Sequence, residues 1–309
     1  MTRSASLAPM PLREGVSPSV VAVPAGHWPS LLDFLAHRMP GISREEWAQR
    51  LSQGLVLQES GQSAQPDQAC LAGQRFFYYR HVSDEPCLPM SANVLFEDDH
   101  LLVADKPHFM PVTPSGAYVQ QSLLVQLKRL TGHAELVPLH RIDRETAGLV
   151  LFGKHLRERD AYHALFREHR IHKTYRAVAT HRPDLTLPCV HTSRLAEDPV
   201  HFFKMREVPG DPNSETRITL LDTQGPRALY QLEPVSGKRH QLRVHMNALG
   251  IPIEGDQFYP SVLRGPDAGE DFNQPLQLLA HSVQFTDPHT GQDRQWTSTL
   301  PLDWRTSPP

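Results

Sequence analysis

Cysteine is scarce in this sequence, and its few copies lack the spacing of a metal site. Cys70, Cys87 and Cys189 lie far apart among 309 residues and form no C-x-x-C pair. Scattered cysteines in odd number are typical of a reducing compartment and argue against structural zinc. Neither H-E-x-x-H nor H-x-x-E-H occurs among the 18 scattered histidines. We therefore expect no metal and no metal-dependent reaction.

Long hydrophobic runs are also missing. No early segment joins a charged start to an apolar stretch of signal-peptide length, and no run approaches the length of a membrane span. The sequence therefore predicts a cytoplasmic protein without a membrane partner. Its 309 residues suffice for one large core and a smaller appended domain.

A net positive charge is absent too. The formal net charge is −3, so any nucleic-acid contact must come from a local cluster of basic residues. The stretch from Lys154 to Arg176, here called the basic segment, holds seven lysines and arginines against three acidic residues. It is either a solvated helix face or a phosphate-binding surface. Its basic members are Lys154, Arg157, Arg159, Arg167, Arg170, Lys173 and Arg176.

A charged turn between apolar flanks is the strongest candidate for chemistry. Asp143 lies between Arg141 and Arg144 and is followed by the apolar run Gly148 to Phe152. Neighbouring cations can keep a carboxylate ionised near a buried strand because they offset its desolvation. The simpler interpretation is that Asp143 starts a turn and pairs with one of the two arginines.

The sequence of this turn, HRIDRETAGLVLF, resembles the catalytic signature of the RluA-type pseudouridine synthases. Further segments resemble that family in the same order across about two thirds of the chain, which is far more specific than one motif. Lys238 departs from the family pattern, in which arginine is usual; it keeps the charge but loses bidentate geometry. The matching segments are 94–107, 139–152, 173–177, 236–245 and 279–291, with Gly255 and Asp256 at a later turn.

The predicted elements do not alternate regularly between strand and helix, which indicates an α+β domain with a mixed, largely antiparallel sheet. The resemblance implies the pseudouridine synthase fold with a cleft across that sheet. Residues 261–277 have the composition of a surface loop. We expect helices over 121–130 and 158–169, and strands over 101–103, 149–152, 175–179, 218–221, 228–234 and 282–285.

The resemblance implies conversion of an RNA uridine to pseudouridine without a cofactor. Asp143 would attack the sugar or remove a sugar proton, and the sequence does not choose between these routes. Arg243 would pair with Asp143 and hold it charged. Tyr175 would stack on uracil and take part in the later proton transfer. The residues alone leave a simpler alternative open for each. In that alternative Tyr175 is a core residue of an apolar strand, and Arg243 only neutralises a buried acid.

Substrate contacts follow from the same resemblance. Leu242 would wall the base pocket, and Arg141 would fill the gap left by a flipped nucleotide. The remaining predicted substrate-binding residues are basic or imidazole side chains: His140, Lys173, Arg176, Lys238 and His240.

Ahead of the predicted catalytic domain, residues 1–18 are expected to form a mobile arm and residues 19–81 a small domain. Helical spacing over 31–39 is followed by Ser43 and Glu46 at capping-box distance, then by a stop at Gly54 and short strands over 55–57 and 75–80. This order resembles the alpha-L RNA-binding domain shared with ribosomal protein S-four. The second helix is not basic, so a degenerate docking module and a structural cap remain open. Residues 82–92 are the expected linker and 93–305 the catalytic domain.

Two other classes of protein would carry different sequence features. A non-catalytic RNA-binding protein would show damage at Asp143, Tyr175 or Arg243, and none is damaged. An aspartyl hydrolase would need D-x-D-x-[TV] or D-[ST]-G, and the sequence at Asp143 matches neither. The substrate is expected to be structured RNA, with ribosomal RNA favoured over transfer RNA. The resemblance also implies a monomer without an obligate protein partner.

Overall fold

The computed structural model describes residues 10–82, 84–265 and 269–304. The chain forms two compact units, the first comprising Met1–Glu85 with Gly116–Gln120, and the second Pro86–Ser115 with Gln121–Pro309. The boundary after Glu85 falls inside the predicted linker. None of the helices among the described residues has the length and hydrophobicity needed to cross a bilayer.

The first unit packs two helices and a small sheet around Phe34, Trp47 and Phe76. Its helices are α1 (Leu31–Arg38) and α2 (Arg44–Ser52), and its strands are β1 (Ser19–Ala22), β2 (Val56–Gln58) and β3 (Arg75–Tyr78). The sheet is antiparallel in the order β1-β3-β2. The predicted cap of α2 is confirmed, because the Ser43 side chain accepts a hydrogen bond from the Glu46 amide.

The stretch predicted as a mobile arm lies only partly within the described residues, since residues 1–9 fall outside them. In the described part, Arg13 and Val16 form a β-bridge, and the Val16 side chain is buried. The Tyr79 hydroxyl donates a hydrogen bond to the carbonyl of Pro11. Residues 10–18 therefore make contacts that a free arm would not make.

The second unit is built on an eleven-stranded sheet in the order β10-β9-β11-β12-β8-β13-β7-β5-β4, with β14 on β13 and β6 on β7. Every described pair is antiparallel except β7 with β13, which confirms the predicted mixed, largely antiparallel sheet. The strands are β4 (Asn93–Glu97), β5 (Leu101–Lys106), β6 (Val137–Pro138), β7 (Ala147–Gly153), β8 (His172–Thr180), β9 (Cys189–Glu197), β10 (Met205–Val208), β11 (Ser214–Gln224), β12 (Arg227–Pro234), β13 (Leu278–Thr286) and β14 (Asp293–Thr297).

The described residues of the second unit form three α-helices: α3 (Leu123–Thr131), α4 (Arg159–Arg167) and α5 (Gln241–Ala248). The sequence predicted α3 and α4 from their apolar spacing but assigned no element to α5. Residues 241–246 of α5 are all buried, polar and apolar alike. The sequence therefore lacks the apolar residues every three or four positions that identify a helix with one buried face. Leu242 and Met246 of α5 belong to the core cluster around β8 and β12.

A glycine allows the close pairing of β7 with β13. Gly148 has φ +111°, and a Cβ at this position would lie 2.3 Å from the Ala280 carbonyl oxygen. We expect Gly148→Ala to lower the free energy of unfolding by roughly 3 kcal/mol, because it adds backbone strain to a steric overlap. Denaturant unfolding of the purified variant measures this. Gly265→Ala is the matched control, since no atom lies within 4 Å of its Cβ position. An equal loss in both variants would contradict the steric explanation.

Candidate active site

A cleft of about 880 Å³ opens in the second unit beside the charged turn predicted from the sequence. Residues 139–144 form one wall, and the 234–243 loop with the start of α5 forms another. Lys173 and Tyr175 of β8 line it between these walls. The structure therefore brings three predicted segments, widely separated in sequence, to one cavity.

Asp143 lies on the tight turn between β6 and β7. The Thr146 amide donates to the Asp143 carbonyl at 3.2 Å and closes the turn. Beneath it, the buried Lys106 ammonium donates to the Arg144 carbonyl at 3.0 Å and to two carbonyls of its own loop. The side chain of Asp143 lines the cleft and is 23% exposed. A lysine that sequence reasoning left without a role thus anchors the backbone of this turn.

Arg243 is 1% exposed and has a different main partner from the predicted one. Its Nε and Nη2 donate to the two carboxylate oxygens of Asp256 at 2.8 and 2.7 Å. Its Nη1 lies 3.6 Å from Asp143 Oδ2, which is an ion pair without a hydrogen bond. The predicted Arg243–Asp143 ion pair is present, but Asp256 is the closer partner, because a fully buried guanidinium needs a bidentate carboxylate to offset its desolvation.

Glu145 is a third carboxylate around the same guanidinium. Its Oε2 lies 3.6 Å from Arg243 Nη1, and its Oε1 accepts from Arg144 at 3.0 Å. Burial acts to raise the pKa of Glu145, but Arg243 and Arg144 outweigh it and hold the pKa below its usual value. Likewise, burial acts to lower the pKa of Arg243, and Asp256, Asp143 and Glu145 raise it above its usual value. One cation that stays charged is therefore shared by three carboxylates.

Tyr175 and Lys173 project from the same face of β8 into the cleft, as residues two apart on a strand do. Burial, with a smaller contribution from Asp143, raises the pKa of Tyr175 above its usual value. Burial lowers the pKa of Lys173. The phenol therefore stays protonated at neutral pH and can donate a hydrogen bond into the cleft.

Arg176 does not fit its predicted substrate-binding role. It follows Tyr175 on β8 and so projects from the opposite face of the sheet, and it does not line the cleft. The basic segment as a whole also lies only partly at the cleft. Of its basic residues only Arg167 and Lys173 line the cleft. Acidic neighbours pair with Lys154, Arg157, Arg167 and Arg170.

The two predicted histidines lie at the cleft as structural side chains. His140 Nε2 accepts a hydrogen bond from the Leu151 amide at 3.1 Å, and burial lowers the pKa of His140 to about 3. His140 is thus a neutral acceptor rather than a cation for phosphate. The buried His240 hydrogen-bonds the Tyr259 hydroxyl at 3.1 Å through Nδ1.

The other predicted substrate contacts, Arg141, Leu242 and Lys238, all line the cleft. Leu242 is buried and also belongs to the core, whereas the side chains of Arg141 and Lys238 are exposed. The exposed pair is therefore free to meet phosphate or base, and Leu242 can only form a wall.

Comparison with known proteins agrees with this geometry. Residues 100–248 match the family model of RNA pseudouridylate synthases. The chain is 28% identical over 216 residues to ribosomal large subunit pseudouridine synthase D of Nitrosomonas europaea, covering 68% of this chain and 62% of that one. It is 30% identical over 299 residues to an uncharacterized RNA pseudouridine synthase of Chloroflexus aurantiacus, covering 92% and 90%. The chain belongs to the RluA-type RNA pseudouridine synthase family. It is thus an isomerase that converts uridine in RNA to pseudouridine.

The synthase also shares its fold with a solved structure, human RNA pseudouridylate synthase domain containing 1. The TM-score is 0.56 at 20% identity, over 71% of this chain and 87% of that one. The family match at 100–248 includes Asp143, Tyr175 and Arg243 but ends before Asp256. The main partner of Arg243 in this synthase thus lies outside the segment that the family model covers.

Proposed function

We propose that the synthase acts on a uridine turned out of its stack into the cleft, with the carboxylate of Asp143 as nucleophile toward the sugar. The observation that carries this proposal is the position of Asp143, which faces the cleft on one side and lies 3.6 Å from buried Arg243 on the other. A carboxylate beside a permanent cation is held in one direction by the attraction between them, as a nucleophile requires.

Space and walls for a flipped nucleotide support the same proposal. A cleft of about 880 Å³ lies in the range of small-molecule sites. Tyr175 offers a ring for stacking and Leu242 an apolar wall. We assign the exposed Arg141, two residues before Asp143, to the gap that the nucleotide leaves, because a planar guanidinium can stack there.

Replacing the phenol of Tyr175 separates its two proposed roles. Tyr175→Phe keeps a ring for stacking but removes the proton donor, so we expect kcat to fall about 10²-fold with RNA affinity nearly unchanged. Single-turnover kinetics and a binding titration on one RNA measure both quantities. Tyr175→Leu, which loses the ring as well, should also weaken binding. Full activity of the phenylalanine variant would show that the Tyr175 hydroxyl takes no part in the reaction.

Phosphate contacts are assigned to the exposed basic residues of the cleft rather than to the basic segment. We expect Lys238→Gln to weaken RNA binding and to lower the slope of log affinity against log salt by about one. The control is Arg157→Gln, because Arg157 is 81% exposed but does not line the cleft. Filter binding over a range of salt concentrations compares the two. An equal change in both variants would indicate that the basic segment also contacts RNA.

Ribosomal RNA is the proposed substrate class. The relative from Nitrosomonas europaea carries a large-subunit ribosomal name. In the first unit, Arg44 pairs with Asp33 and Arg50 with Glu46, so α2 offers little uncompensated positive charge. We therefore infer that this unit is a structural cap related to the alpha-L domain rather than an RNA-docking module, which leaves recognition to the second unit.

A pseudouridine map of total RNA tests the whole proposal. RNA from cells with and without the gene is compared, with rescue by the wild-type gene and by Asp143→Ala. A ribosomal RNA site that is lost on deletion and restored only by the wild-type gene is expected. A lost site in transfer RNA would overturn the substrate class alone. Restoration by the Asp143→Ala gene would overturn the nucleophile.

A further inference from the structure

Three potential metal ligands meet in the second unit outside the residues that line the cleft. His191 lies on β9, Glu207 on β10 and His245 on α5, and one ligating atom of each lies within 4.8 Å of the others. His191 Nε2 and Glu207 Oε1 are 2.7 Å apart, and the two imidazole rings are 4.7 Å apart at 64°. The sequence predicted no metal because 16 and 38 residues separate these ligands, far from any local motif.

We propose that His191, Glu207 and His245 bind a divalent transition-metal ion, with Zn²⁺ as the best fit. Two imidazoles and one carboxylate are a common protein donor set for zinc, and a fourth position is left for water. His191 is 20% and Glu207 32% exposed at the side chain, so solvent and ion can reach the group from outside. His245 is buried and supplies the inner ligand.

Hydrogen bonds around His245 are compatible with this use of the ring. Nδ1 lies 2.9 Å from the Thr216 hydroxyl, and Thr216 also accepts from the Gln241 amide at 3.0 Å. If Nδ1 donates to Thr216, Nε2 keeps its lone pair, which is how metal-bound histidines are commonly oriented. Two hydroxyls also face Nε2. The Ser214 hydroxyl lies 3.0 Å away but donates to the Ser193 carbonyl, and the Ser193 hydroxyl lies 3.1 Å away, so a bound ion would take the place of the Ser193 proton at Nε2.

The ion would connect two parts of the second unit. β9 and β10 form a hairpin, and His245 follows Arg243 by two residues on α5. A metal bound by the hairpin and the helix therefore stabilises the element that carries Arg243. Because only the folded chain brings the three ligands together, binding should raise the melting temperature.

The test uses the untagged full-length protein, first stripped with a chelator. Zn²⁺ titration by calorimetry and Co²⁺ absorption are measured for wild type, His191→Gln and Glu207→Gln. The matched control is His133→Gln, because His133 and Glu97 form the same kind of pair at 2.7 Å and do not belong to this group of three ligands. We expect one equivalent of Zn²⁺ with a raised melting temperature in wild type and control, and at least about tenfold weaker binding in the two ligand variants.

Three outcomes would overturn the proposal. One is wild-type protein that takes up no stoichiometric Zn²⁺. Another is equal affinity in the ligand variants and the control. The third is a Co²⁺ spectrum with thiolate charge transfer, which would place the ion at a cysteine. None of these readouts depends on pseudouridine formation, so failure here leaves the proposed reaction untouched.

Discussion

Asp143→Asn is expected to lower pseudouridine formation by at least about 10⁴-fold while RNA affinity changes little. The amide is nearly isosteric and keeps the turn, whose closing hydrogen bond uses the backbone carbonyl of Asp143. It lacks the carboxylate oxygen that attacks the sugar in the proposed mechanism, and removal of a nucleophile costs this much or more in enzymes that form covalent intermediates. Phosphate contacts supply most of the affinity and are unchanged. Single-turnover assays and binding titrations on the same RNA measure both effects.

Glu145→Gln is the charge-matched control for this result. Glu145 and Asp143 each lie 3.6 Å from Nη1 of Arg243, so either variant removes one negative charge beside the same cation. If Asp143 is the nucleophile, Glu145→Gln should lose about tenfold in rate or less. Two equally inactive variants would indicate that charge balance around Arg243, rather than nucleophilic attack, explains the loss.

Asp256→Asn should damage stability and activity together. Arg243 is held by both oxygens of Asp256, and both residues are buried. Breaking a buried ion pair from one side leaves an uncompensated charge, which costs roughly 3 kcal/mol or more in free energy of unfolding. The freed guanidinium also loses its direction toward Asp143. We expect kcat to fall at least about tenfold in conditions where the variant is fully folded.

A second bidentate pair separates these two effects. Arg227 donates to both oxygens of Glu254 at 2.7–3.1 Å in the same unit, and neither residue lines the cleft. Glu254→Gln should lower stability by a smaller amount, because Glu254 is partly exposed, and should keep the wild-type kcat. Denaturant unfolding and initial rates below the unfolding transition measure the two variants. A kcat loss in both would mean that Asp256 acts only through stability.

Local signals in the sequence were sufficient for several elements. Ser43 and Glu46 predicted the start of α2, and the apolar spacing predicted α1, α3 and α4 within a few residues. Each of these features depends on residues within one or two turns of the chain, so no tertiary information is needed. The strands β1, β6, β9, β10 and β14 were not predicted, because they are short or carry many exposed polar residues and so lack a strong apolar pattern.

The roles of particular side chains needed the folded chain. Asp256 was placed at a turn without a function, since nothing in its neighbourhood indicates a buried arginine 13 residues earlier. Arg176 was assigned to the substrate as part of the basic segment, but strand alternation turns it to the other face. The group at His191 shows the same limit, because its three ligands come from two strands and a helix.

The sequence by itself determined the family, the reaction class and the turn that carries Asp143, because these depend on an ordered set of short motifs. Only the tertiary structure decided that Arg243 is held chiefly by Asp256, and that His140 is a neutral acceptor rather than a phosphate ligand. Pairing of buried charges depends on desolvation and on which surfaces meet across the sheet. Both depend on packing between segments that are distant in sequence. No short stretch of the sequence indicates them.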